Sequence, residues 1–596
     1  MDDKQRAVLF GVEHSVCGRR WRLRRGLGDD ATALAQRLGL PELVGRLLVQ
    51  RGIGLDEAPL YLRPRLRDQL PDPSRLRDMN EAVARLVAAI RRDETIAIFG
   101  DYDVDGATSA ALLARFFAAV GARSRIYVPD RLREGYGPNT PALLRLRAEG
   151  ATVALTVDCG TAAYEPLREA ARHGLDVIVI DHHVAEPQLP FAHAVVNPNR
   201  LDEAGEHGTL AAVGVAFLLV VAVNRALRLA GWYRSRPEPD LLGWLDLVAL
   251  GTVCDVVPLT GLNRTFVAQG LKVLARRGNP GLDALARSAG LADALDAYHL
   301  SFALGPRVNA GGRVGAADLG ARLLATDDPA DAAELAQRLE VLNRERREIE
   351  TRTLAEAIAA VEAQPQSPAL VFAAGADWHP GVIGIVAARL RERYERPACV
   401  VTIAQGIGRG SGRSVPGAPL GAAVIAARQA GLLLAGGGHA MAAGFSVASD
   451  RLTALRDFLA ERLGDGLDRE RLFPELTVDG ALSVASAQGE LLGQIEQLAP
   501  FGTANPEPRF VFPTVRVTGC EPVGDGHMRC VLADPLGRAR LPSIAFRAAQ
   551  TPLGRFLATT GGAAVHVAGQ LRRDRWRGGD AVQLVIDDAA ATTASG

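Results

Sequence analysis

The chain has 596 residues, of which 48% are hydrophobic and 23% charged, and its 68 basic and 68 acidic residues give a formal net charge of zero. This length predicts roughly three or four domains, and no charge-free apolar run reaches the ~18 residues of a membrane span, which indicates a soluble globular protein. The six cysteines form no C-x-x-C pair, which argues against a zinc ribbon and against a disulfide framework. The N-terminus lacks a hydrophobic stretch typical of a signal peptide, so we expect a cytoplasmic protein.

Residues 1–75 predict a small helical or irregular N-terminal region. Over residues 76–327, short β-branched runs alternate with segments rich in alanine and leucine, a pattern typical of βαβ units on a parallel sheet. The predicted strands are Thr95–Phe99, Arg125–Val128, Val153–Val157, Val177–Ile180 and Ala194–Val196. The predicted helices include Ala107–Val120, Ala162–His173 and the apolar segment Leu242–Gly251.

Residues 328–364 predict one long helix that connects two domains, because Asp328–Ala363 contains no glycine. A second α/β domain is expected over 365–465, with strands Ala369–Ala373 and Ala398–Thr402 and helices Gly381–Tyr394 and Leu420–Gln429. Residues 466–590 predict five short strands, which favours a β-barrel similar to an OB-fold. These strands are Val511–Val517, Met528–Leu532, Ser543–Phe546, Val565–Leu571 and Val582–Ile586. The expected fold class is therefore α/β with an added C-terminal barrel.

Four motifs of acidic residues, some with histidine, lie at or near the ends of predicted elements. They are Asp101-Tyr102-Asp103-Val104-Asp105, Asp158-Cys159-Gly160, Asp181-His182-His183 and Cys254-Asp255. The carboxyl ends of parallel strands meet in one crevice, so we expect these side chains to converge. Carboxylates gathered in one crevice raise each other's pKa values, and divalent cations remove that penalty. The sequence therefore predicts a site for a pair of metal ions.

Each motif has an ordinary alternative when it is considered alone. If the first segment stays extended, its three aspartates point to one side, but an acidic turn or part of a calcium loop would have the same composition. Asp158 or Asp255 could cap a helix, and the two histidines could lie on the surface. The interpretation as a metal site depends on the four motifs occurring together.

These motifs, in this order, resemble the DHH phosphoesterase superfamily, which is named for the triplet seen here as Asp181-His182-His183. Further segments resemble its RecJ family: Phe99–Gly106, Gly305–Arg313, Trp378–Gly384, Gly410–Ser414, Gly437–Gly444 and Pro500–Pro508. The resemblance covers about residues 70 to 590. It implies a DHH catalytic domain, a DHH-associated domain and an OB-fold-like domain that binds DNA. It also implies a 5′→3′ exonuclease of DNA repair and recombination that is specific for single-stranded DNA.

The resemblance implies two Mn2+ or Mg2+ ions and assigns roles to the acidic cluster. The implied catalytic residues are Asp103, Asp105, Asp158, His182, His183 and Asp255, and Asp101 joins the aspartates and His182 as a metal ligand. Asp158 is the candidate bridging ligand, and His183 is either a ligand or a support for one. Two ions can generate hydroxide, hold the scissile phosphate and stabilise the leaving oxygen. Mixed carboxylate and imidazole ligands favour Mn2+, and Mg2+ can also serve.

The second α/β domain is expected to recognise the 5′ end. Glycine-rich backbone and arginine together can make a phosphate pocket, although the glycines could equally make only tight turns. By resemblance, the substrate-binding residues are Arg307, Asn309, Arg313, Trp378, His379, Ser411, Arg413, Gly438 and His439. In the C-terminal barrel, the basic run Arg572–Arg577, with Trp576 inside it, is the candidate for contact with the downstream strand, although it could equally be an ordinary hairpin surface.

Two alternative functions remain open from the sequence. One is a DHH phosphodiesterase that acts on short oligonucleotides or cyclic dinucleotides, and the extra C-terminal barrel argues against it. The other is a catalytically silent relative that only binds DNA, and the complete set of acidic and histidine positions argues against it. We expect a monomer that binds single-stranded DNA and no membrane. A helicase and a single-strand-binding protein are partners implied by the resemblance alone.

Overall fold

The structure, a computed structural model, describes residues 8–25, 29–131, 133–203, 205–363, 367–464, 474–574 and 580–592. The chain divides into two compact units. One unit combines Met1–Arg65 with Asp468–Gly596, and the other is Leu66–Leu467. The second unit is therefore inserted in sequence between the two segments that build the first.

The N-terminal segment of the first unit contains a strand and three helices: β1 (Arg20–Leu23), α1 (Asp29–Leu38), α2 (Glu42–Val49) and α3 (Ala58–Leu62). In the second unit, α4 (Leu66–Gln69) and α5 (Met79–Arg91) precede a five-stranded parallel sheet. Its strands are β2 (Thr95–Gly100), β3 (Ser124–Tyr127), β4 (Ala151–Val157), β5 (Asp176–Ile180) and β6 (Ala194–Val196). Their order in the sheet is β3-β2-β4-β5-β6.

Helices cover both faces of this sheet, as all-parallel sheets require. Three helices connect its strands: α6 (Val104–Ala119), α7 (Thr140–Ala148) and α8 (Tyr164–Arg172). A helical region follows, with α9 (Ala212–Leu229), α10 (Leu245–Cys254), α11 (Gly261–Leu274), α12 (Pro280–Ser288), α13 (Ala297–His299), α14 (Gly305–Val314) and α15 (Leu319–Ala325). The five strands agree with the sequence prediction within about two residues, and all but the partly exposed β3 are largely buried.

Helix α9 was not predicted, although the apolar run Leu210–Val223 signals it. It is long and apolar enough to cross a membrane, with a mean hydropathy of 1.8, but 72% of it is buried inside the protein. That burial is typical of a helix in a protein core. The predicted apolar helix Leu242–Gly251 is a 3-10 turn over Leu241–Trp244 followed by α10.

The predicted long helix is α16 (Pro329–Glu362), which begins after Asp328, whose side chain accepts from the Ala330 amide. The second α/β domain follows, with β7 (Val371–Ala376), α17 (Ile383–Tyr394), β8 (Ala398–Ala404), β9 (Ile407–Arg413), α18 (Leu420–Gln429), β10 (Ala435–His439), β11 (Ala442–Ala448) and α19 (Leu452–Gly464). Its sheet has the order β10-β11-β9-β8-β7, and only the β7–β8 pair is parallel.

The C-terminal segment of the first unit closes the predicted barrel. Its elements are β12 (Glu475–Val478), β13 (Gly480–Ala481), α20 (Gly489–Glu496), β14 (Phe510–Val523), β15 (His527–Ala533), β16 (Arg540–Ala545), α21 (Pro552–Thr559), β17 (Ala564–Arg573) and β18 (Val582–Ala591). The barrel order is β14-β15-β16-β18-β17, and β14 pairs again with β17. The five predicted strands and their barrel are confirmed. The N-terminal segment adds β1 parallel to β12 and packs Val44, Leu47 and Leu48 into the same core as Phe510.

Candidate metal centre and adjoining arginine cluster

The first acidic motif lies in the turn between β2 and α6. Asp103 is the N-cap of α6, and its side chain accepts hydrogen bonds from the amides of Asp105 and Gly106 at 2.9 and 3.1 Å. Asp105 lies within the first helical turn, so the segment does not stay extended and the condition for the three aspartates to alternate to one side is not met. A Cβ at Gly106 would lie 2.5 Å from the Asp101 carbonyl oxygen, and only glycine allows that approach. The aspartates converge because the chain turns sharply, not because side chains alternate along a strand.

Two further aspartates follow the neighbouring strands of the parallel sheet. Asp158 comes directly after β4 and has a φ of +60°, a left-handed conformation that is unfavourable for a residue with a side chain. Asp181 comes directly after β5, and its carboxylate accepts from the amides of Thr161, His182 and His183. It also accepts from Nδ1 of His183 at 2.7 Å. Both carboxylate oxygens of Asp181 therefore have hydrogen-bond partners, and the residue orients the His183 ring.

Ligand atoms of seven side chains, five aspartates and two histidines, form three overlapping groups. The groups are Asp101 with Asp103 and Asp158, Asp105 with His182 and Asp255, and Asp158 with His182 and His183. Within each group the ligand atoms lie within 4.8 Å of one another. His182 Nε2 lies 3.3 Å from Asp158 Oδ1 and 3.6 Å from Asp255 Oδ2. Asp158 and His182 each belong to two groups, so they lie where the groups meet.

The electrostatics of this cluster fit bound divalent cations. Burial, followed by repulsion from neighbouring carboxylates, raises the pKa values of Asp101, Asp105 and Asp158 well above their usual range. The same causes raise the pKa of Asp255 to about 7. One buried oxygen each of Asp101, Asp158 and Asp255 has no hydrogen-bond partner among the described residues. Buried, unpaired carboxylate oxygens are unfavourable unless a cation or proton joins them, so the residues present suit metal ions.

The two histidines of the triplet differ in their titration. Burial and the adjacent His183 lower the pKa of His182, which favours the neutral imidazole that a metal requires. Burial alone would lower the pKa of His183 too, but its hydrogen bond with Asp181 outweighs that effect and the pKa is raised. Burial would raise the pKa of Asp181, yet the hydrogen bond from His183 brings it below the usual range. The triplet thus contains one candidate metal-binding ring and one ring held by a carboxylate.

Helix α9 fixes the position of Asp105. The amides of Ala212 and Val213, at the start of that helix, donate to the two oxygens of Asp105 at 2.6 and 2.9 Å. A Cβ at Gly251 would lie 2.3 Å from Thr108 Oγ1 and 3.1 Å from Asp105 Oδ1. The close packing of α10 on α6 therefore requires glycine there, and α10 ends at Asp255. Sequence reasoning did not identify these supporting positions.

The cysteines beside the aspartates are not oriented as ligands. The Cys159 thiol donates to the Val157 carbonyl at 3.4 Å, and the Cys254 thiol donates to the Leu300 carbonyl at 3.4 Å. Burial raises the pKa of both thiols, which keeps them protonated. Both side chains pack as small hydrophobic groups beside the cluster.

An arginine cluster adjoins the acidic one. Arg313 Nη1 donates to the Gly381 carbonyl at 3.0 Å, and Arg413 Nη1 donates to Ser411 Oγ at 3.3 Å. Burial, together with the positive charges of Arg131 and Arg346, lowers the pKa of Arg313 to about 10. Burial and the charge of Arg131 also lower the pKa of Arg413. Partly buried arginines that repel one another form a site suited to an anion.

The two clusters meet at Tyr102. A Cβ at Gly312 would lie 2.9 Å from the Tyr102 carbonyl oxygen, which brings Arg313 next to the Asp101–Asp105 turn. The Arg131 guanidinium lies 4.9 Å from the centre of the Tyr102 ring. Sequence reasoning missed Arg131 and Arg346. A basic loop after β3 signals Arg131, but nothing distinguishes Arg346 from the other arginines of α16.

The remaining residues implied by the resemblance have varied surroundings. Arg307 is buried and pairs with Glu340 of α16 at 2.5 Å. Trp378 is buried, donates to Glu356 at 2.7 Å and lines a cavity of about 800 Å³. His379 Nδ1 accepts from the Gly381 amide at 3.1 Å, which brings it near the arginine cluster. Asn309 is half-buried on α14.

The glycine-rich segments, for which no secondary structure was predicted, are strands. Ser411 and Arg413 lie on β9, and Gly438 and His439 lie on β10, where His439 is exposed. A Cβ at Gly410 would lie 2.1 Å from the Phe445 ring, so that glycine makes room for ring packing between neighbouring strands. Gly438 has a φ of +151°, and a Cβ there would lie 2.3 Å from the Ala442 carbonyl oxygen. Sequence reasoning missed both strands because glycine usually weakens strands.

The candidate basic run at the end of the barrel is only partly described. Arg572 pairs with Glu507 at 2.6 Å, and Arg573 pairs with Glu496 at 2.7 Å. Arg575, Trp576 and Arg577 lie outside the described residues. The two described arginines are therefore already ion-paired, and the role of this run stays a prediction.

Three segments match known families in chain order. Residues 95–252 match the DHH family, N-terminal domain, residues 366–465 match the DHHA1 domain, and residues 478–588 match the RecJ OB domain. The single-stranded-DNA-specific exonuclease RecJ of Dickeya dadantii (strain 3937) is 38% identical over 562 residues, which cover 92% of this chain and 96% of that protein. The RecJ of Bacillus subtilis (strain 168) is 34% identical over 577 residues, or 96% of this chain and 71% of that protein.

Solved structures agree with these matches. The crystal structure of RecJ from Thermus thermophilus in complex with Mn2+ superposes with a TM-score of 0.80 at 30% identity, covering 96% of this chain and 80% of that one. The corresponding Mg2+ complex gives a TM-score of 0.73. The acidic cluster thus lies in a fold whose solved relatives contain these two ions. On its domains and its full-length relatives, the chain belongs to the RecJ family.

Proposed function

We propose that this protein is a metal-dependent exonuclease specific for single-stranded DNA, that it degrades the strand in the 5′→3′ direction, and that it acts in DNA repair and recombination. The single observation that carries the proposal is the juxtaposition of two clusters. One is a largely buried group of carboxylates and imidazole in which three oxygens have no hydrogen-bond partner among the described residues, and the other is a group of partly buried arginines next to it. The first suits the chemistry of phosphodiester hydrolysis, and the second suits the terminal phosphate of a strand.

The proposed metal ligands are Asp101, Asp103, Asp105, Asp158, His182 and Asp255. When bound there, two divalent ions supply an activated water, a clamp on the scissile phosphate and stabilisation of the leaving oxygen. Asp158 is the proposed bridging ligand, since it belongs to two of the three groups of ligand atoms. The amides of helix α9 hold Asp105, and Asp181 holds the His183 ring. The chain thus keeps its ligand side chains in place through contacts of its own.

The proposed 5′-phosphate site is the arginine cluster, with Arg313 and Arg413 as the main cations and Ser411 as a hydroxyl donor. Burial strengthens the attraction between a guanidinium and a phosphate, because little water competes. Arg131 and Arg346 add positive charge. Because Arg313 adjoins the Asp101–Asp105 turn, a phosphate held there would place the next phosphodiester bonds of the strand toward the metal cluster. That proximity is the support for cleavage from the 5′ end.

Specificity for single strands would follow from the shape of the cleft between the parallel-sheet domain and the second α/β domain. We propose that this cleft is too narrow for a duplex. The C-terminal barrel would bind the downstream strand through base stacking and cationic side chains, with little sequence preference. By family resemblance we further propose a cytoplasmic monomer that works with a helicase and a single-strand-binding protein.

The test is a time course on a single-stranded oligonucleotide labelled at the 5′ or the 3′ end, in Mn2+, Mg2+ or EDTA, beside the matching blunt duplex. We expect immediate release of short 5′-labelled products, progressive shortening of the 3′-labelled strand, and no cleavage in EDTA or of the duplex. Absence of cleavage with any metal would support a silent DNA-binding relative. Digestion of only very short oligonucleotides would support a small-substrate DHH phosphodiesterase.

A further inference from the structure

Two of the six cysteines face each other across the first hairpin of the C-terminal barrel. Cys520 of β14 pairs directly with Cys530 of β15 in an antiparallel register, and their sulfur atoms are 2.8 Å apart. No other two cysteines among the described residues come into sulfur contact. This pair has no part in the proposed cleavage of DNA.

The strand geometry allows the two sulfurs to bond without moving the backbone. Directly opposed residues of antiparallel strands have Cα atoms about 4.5–5.5 Å apart. Disulfides join Cα atoms that are about 4.4–6.8 Å apart. The ladder hydrogen bonds of β14 and β15 therefore already hold the two residues at bonding distance, and only side-chain rotation is needed.

The two thiols differ in their access to solvent. Cys530 is buried in the barrel core, whereas Cys520 is half-buried. Cys520 also lines a surface groove of about 480 Å³ together with Arg516, Gly519 and Gly562. The strand register shifts between Val517 and Gly519, just before Cys520, so the barrel wall is irregular there. A small reagent would reach Cys520 from the groove, and Cys530 lies beside it on the neighbouring strand with its sulfur in contact.

The pKa values of the two thiols do not favour rapid oxidation. Burial is the main cause that raises the pKa of Cys520, and burial also raises the pKa of Cys530. Thiolate is therefore scarce on both residues near neutral pH, and a first reaction with an oxidant would be slow. Once one sulfur is activated, the nearness of the other makes the second step intramolecular.

We propose that Cys520 and Cys530 form a reversible disulfide within one chain, with a low-molecular-weight disulfide as the oxidant. The Cys520 thiolate attacks one sulfur of the oxidant, forms a mixed disulfide and releases one small thiol. The Cys530 thiolate then attacks the Cys520 sulfur and releases the second small thiol. The protein loses two electrons and two protons, and the oxidant is reduced to two thiols. The product is a covalent staple between β14 and β15 beside the groove.

The test uses the full chain, equilibrated in buffers with a range of oxidised to reduced glutathione, quenched with acid, and alkylated after denaturation. Intact mass and peptide mapping then count the protected thiols. We expect two of the six thiols to become protected together, a crosslinked peptide that contains both Cys520 and Cys530, and complete reversal by excess reductant. If all six thiols stay open to alkylation across the range, or if the crosslink joins other cysteines or two chains, the proposal is overturned.

Variants distinguish the direct pair from incidental oxidation. Cys530→Ser should form no internal bridge and should keep one glutathione on Cys520. Cys399→Ser removes a buried cysteine of the second α/β domain and should bridge like the wild type, so it serves as the matched control. Protection of two thiols in Cys530→Ser would contradict the assigned pair.

Discussion

His182 directs Nε2 to within 3.3 Å of Asp158 Oδ1, although the two residues follow different strands of the parallel sheet. Neighbouring strands in register bring these side chains together, since Val157 pairs with Ile180. Burial lowers the pKa of the imidazole and raises the pKa of the carboxyl group. Both shifts favour a neutral imidazole beside a protonated carboxyl group when no cation is bound. A metal ion would instead stabilise the ionised carboxylate.

Asp158→Ala should abolish cleavage while the protein stays folded. The substitution removes the ligand shared by two groups, so we expect kcat to fall by at least about 10³-fold, as for residues that act as a unit. It should also remove the rise in melting temperature that Mn2+ gives the wild type. Asp293→Ala changes an exposed aspartate of the same unit and should behave as wild type. Retained activity in Asp158→Ala would rule out the bridging assignment.

The stability of the metal-free protein should fall as pH rises from about 5 to 8. The folded protein holds protons on four aspartates at pH values where the unfolded chain has lost them; these are Asp101, Asp105, Asp158 and Asp255. Each unit rise in pH therefore lowers the free energy of unfolding. The opposite shifts of His182 and His183 partly offset each other.

Melting temperatures in EDTA and in Mn2+ across this pH range test whether stability falls as pH rises. The stabilisation by Mn2+ should be larger at pH 8 than at pH 5.5, because the metal replaces protons. In Asp255→Asn the loss of stability with pH should become shallower, since one raised pKa is removed. A melting temperature in EDTA that stays constant or increases with pH would contradict the assignment of these carboxylates as proton-sharing groups.

Arg413→Ala should impair cleavage of 5′-phosphorylated strands more than of 5′-hydroxyl strands. A buried hydrogen bond to a charged group is worth about 1.5–3 kcal/mol, so we expect kcat/KM to fall about 10- to 100-fold on the phosphorylated end. Arg428→Ala removes an exposed arginine of α18 and is the control for total charge. Equal losses on both ends would refute an end-sensing role for Arg413.

Gly251→Ala should destabilise the parallel-sheet domain. The added methyl would lie 2.3 Å from Thr108 Oγ1 and 2.7 Å from Val213 Cγ1, so α10 must move away from α6. Overpacking of this kind costs about 1–3 kcal/mol in the free energy of unfolding, and Mn2+ affinity should fall because Asp255 ends α10. Gly278→Ala places its methyl in open space and should leave both quantities nearly unchanged. Urea unfolding and metal titration make the comparison.

The parallel strands and the barrel strands could be predicted because most of them are short runs rich in β-branched residues. The convergence of the aspartates could also be predicted from their positions after β2, β4 and β5. The start of α6 could not, because the helix was predicted from Ala107 while Asp103 caps it and it begins at Val104. Strands β9 and β10 were missed since tertiary packing, as of Phe445 on Gly410, overrides the low strand propensity of glycine.

Other features depend on contacts between residues far apart in sequence, which local patterns do not encode. Arg346 joins the arginine cluster only because α14 packs against α16. The amides that hold Asp105 come from α9, and the first of them, Ala212, lies 107 residues later in the sequence. No periodicity within either segment signals that contact.

The ion pair between Arg22 and Glu475 joins β1 to a strand 453 residues later. During synthesis on the ribosome, β1 therefore cannot pair until Glu475 and the rest of β12 have also been made. The inserted Leu66–Leu467 unit carries its own core and can fold in the interval. If synthesis stopped before β12 was made, the Leu66–Leu467 unit could still fold, but β1 would lack the strand with which it pairs. A circular permutant that places the segment containing β1 after β18 would bring β1 and β12 closer in sequence and would shorten that delay.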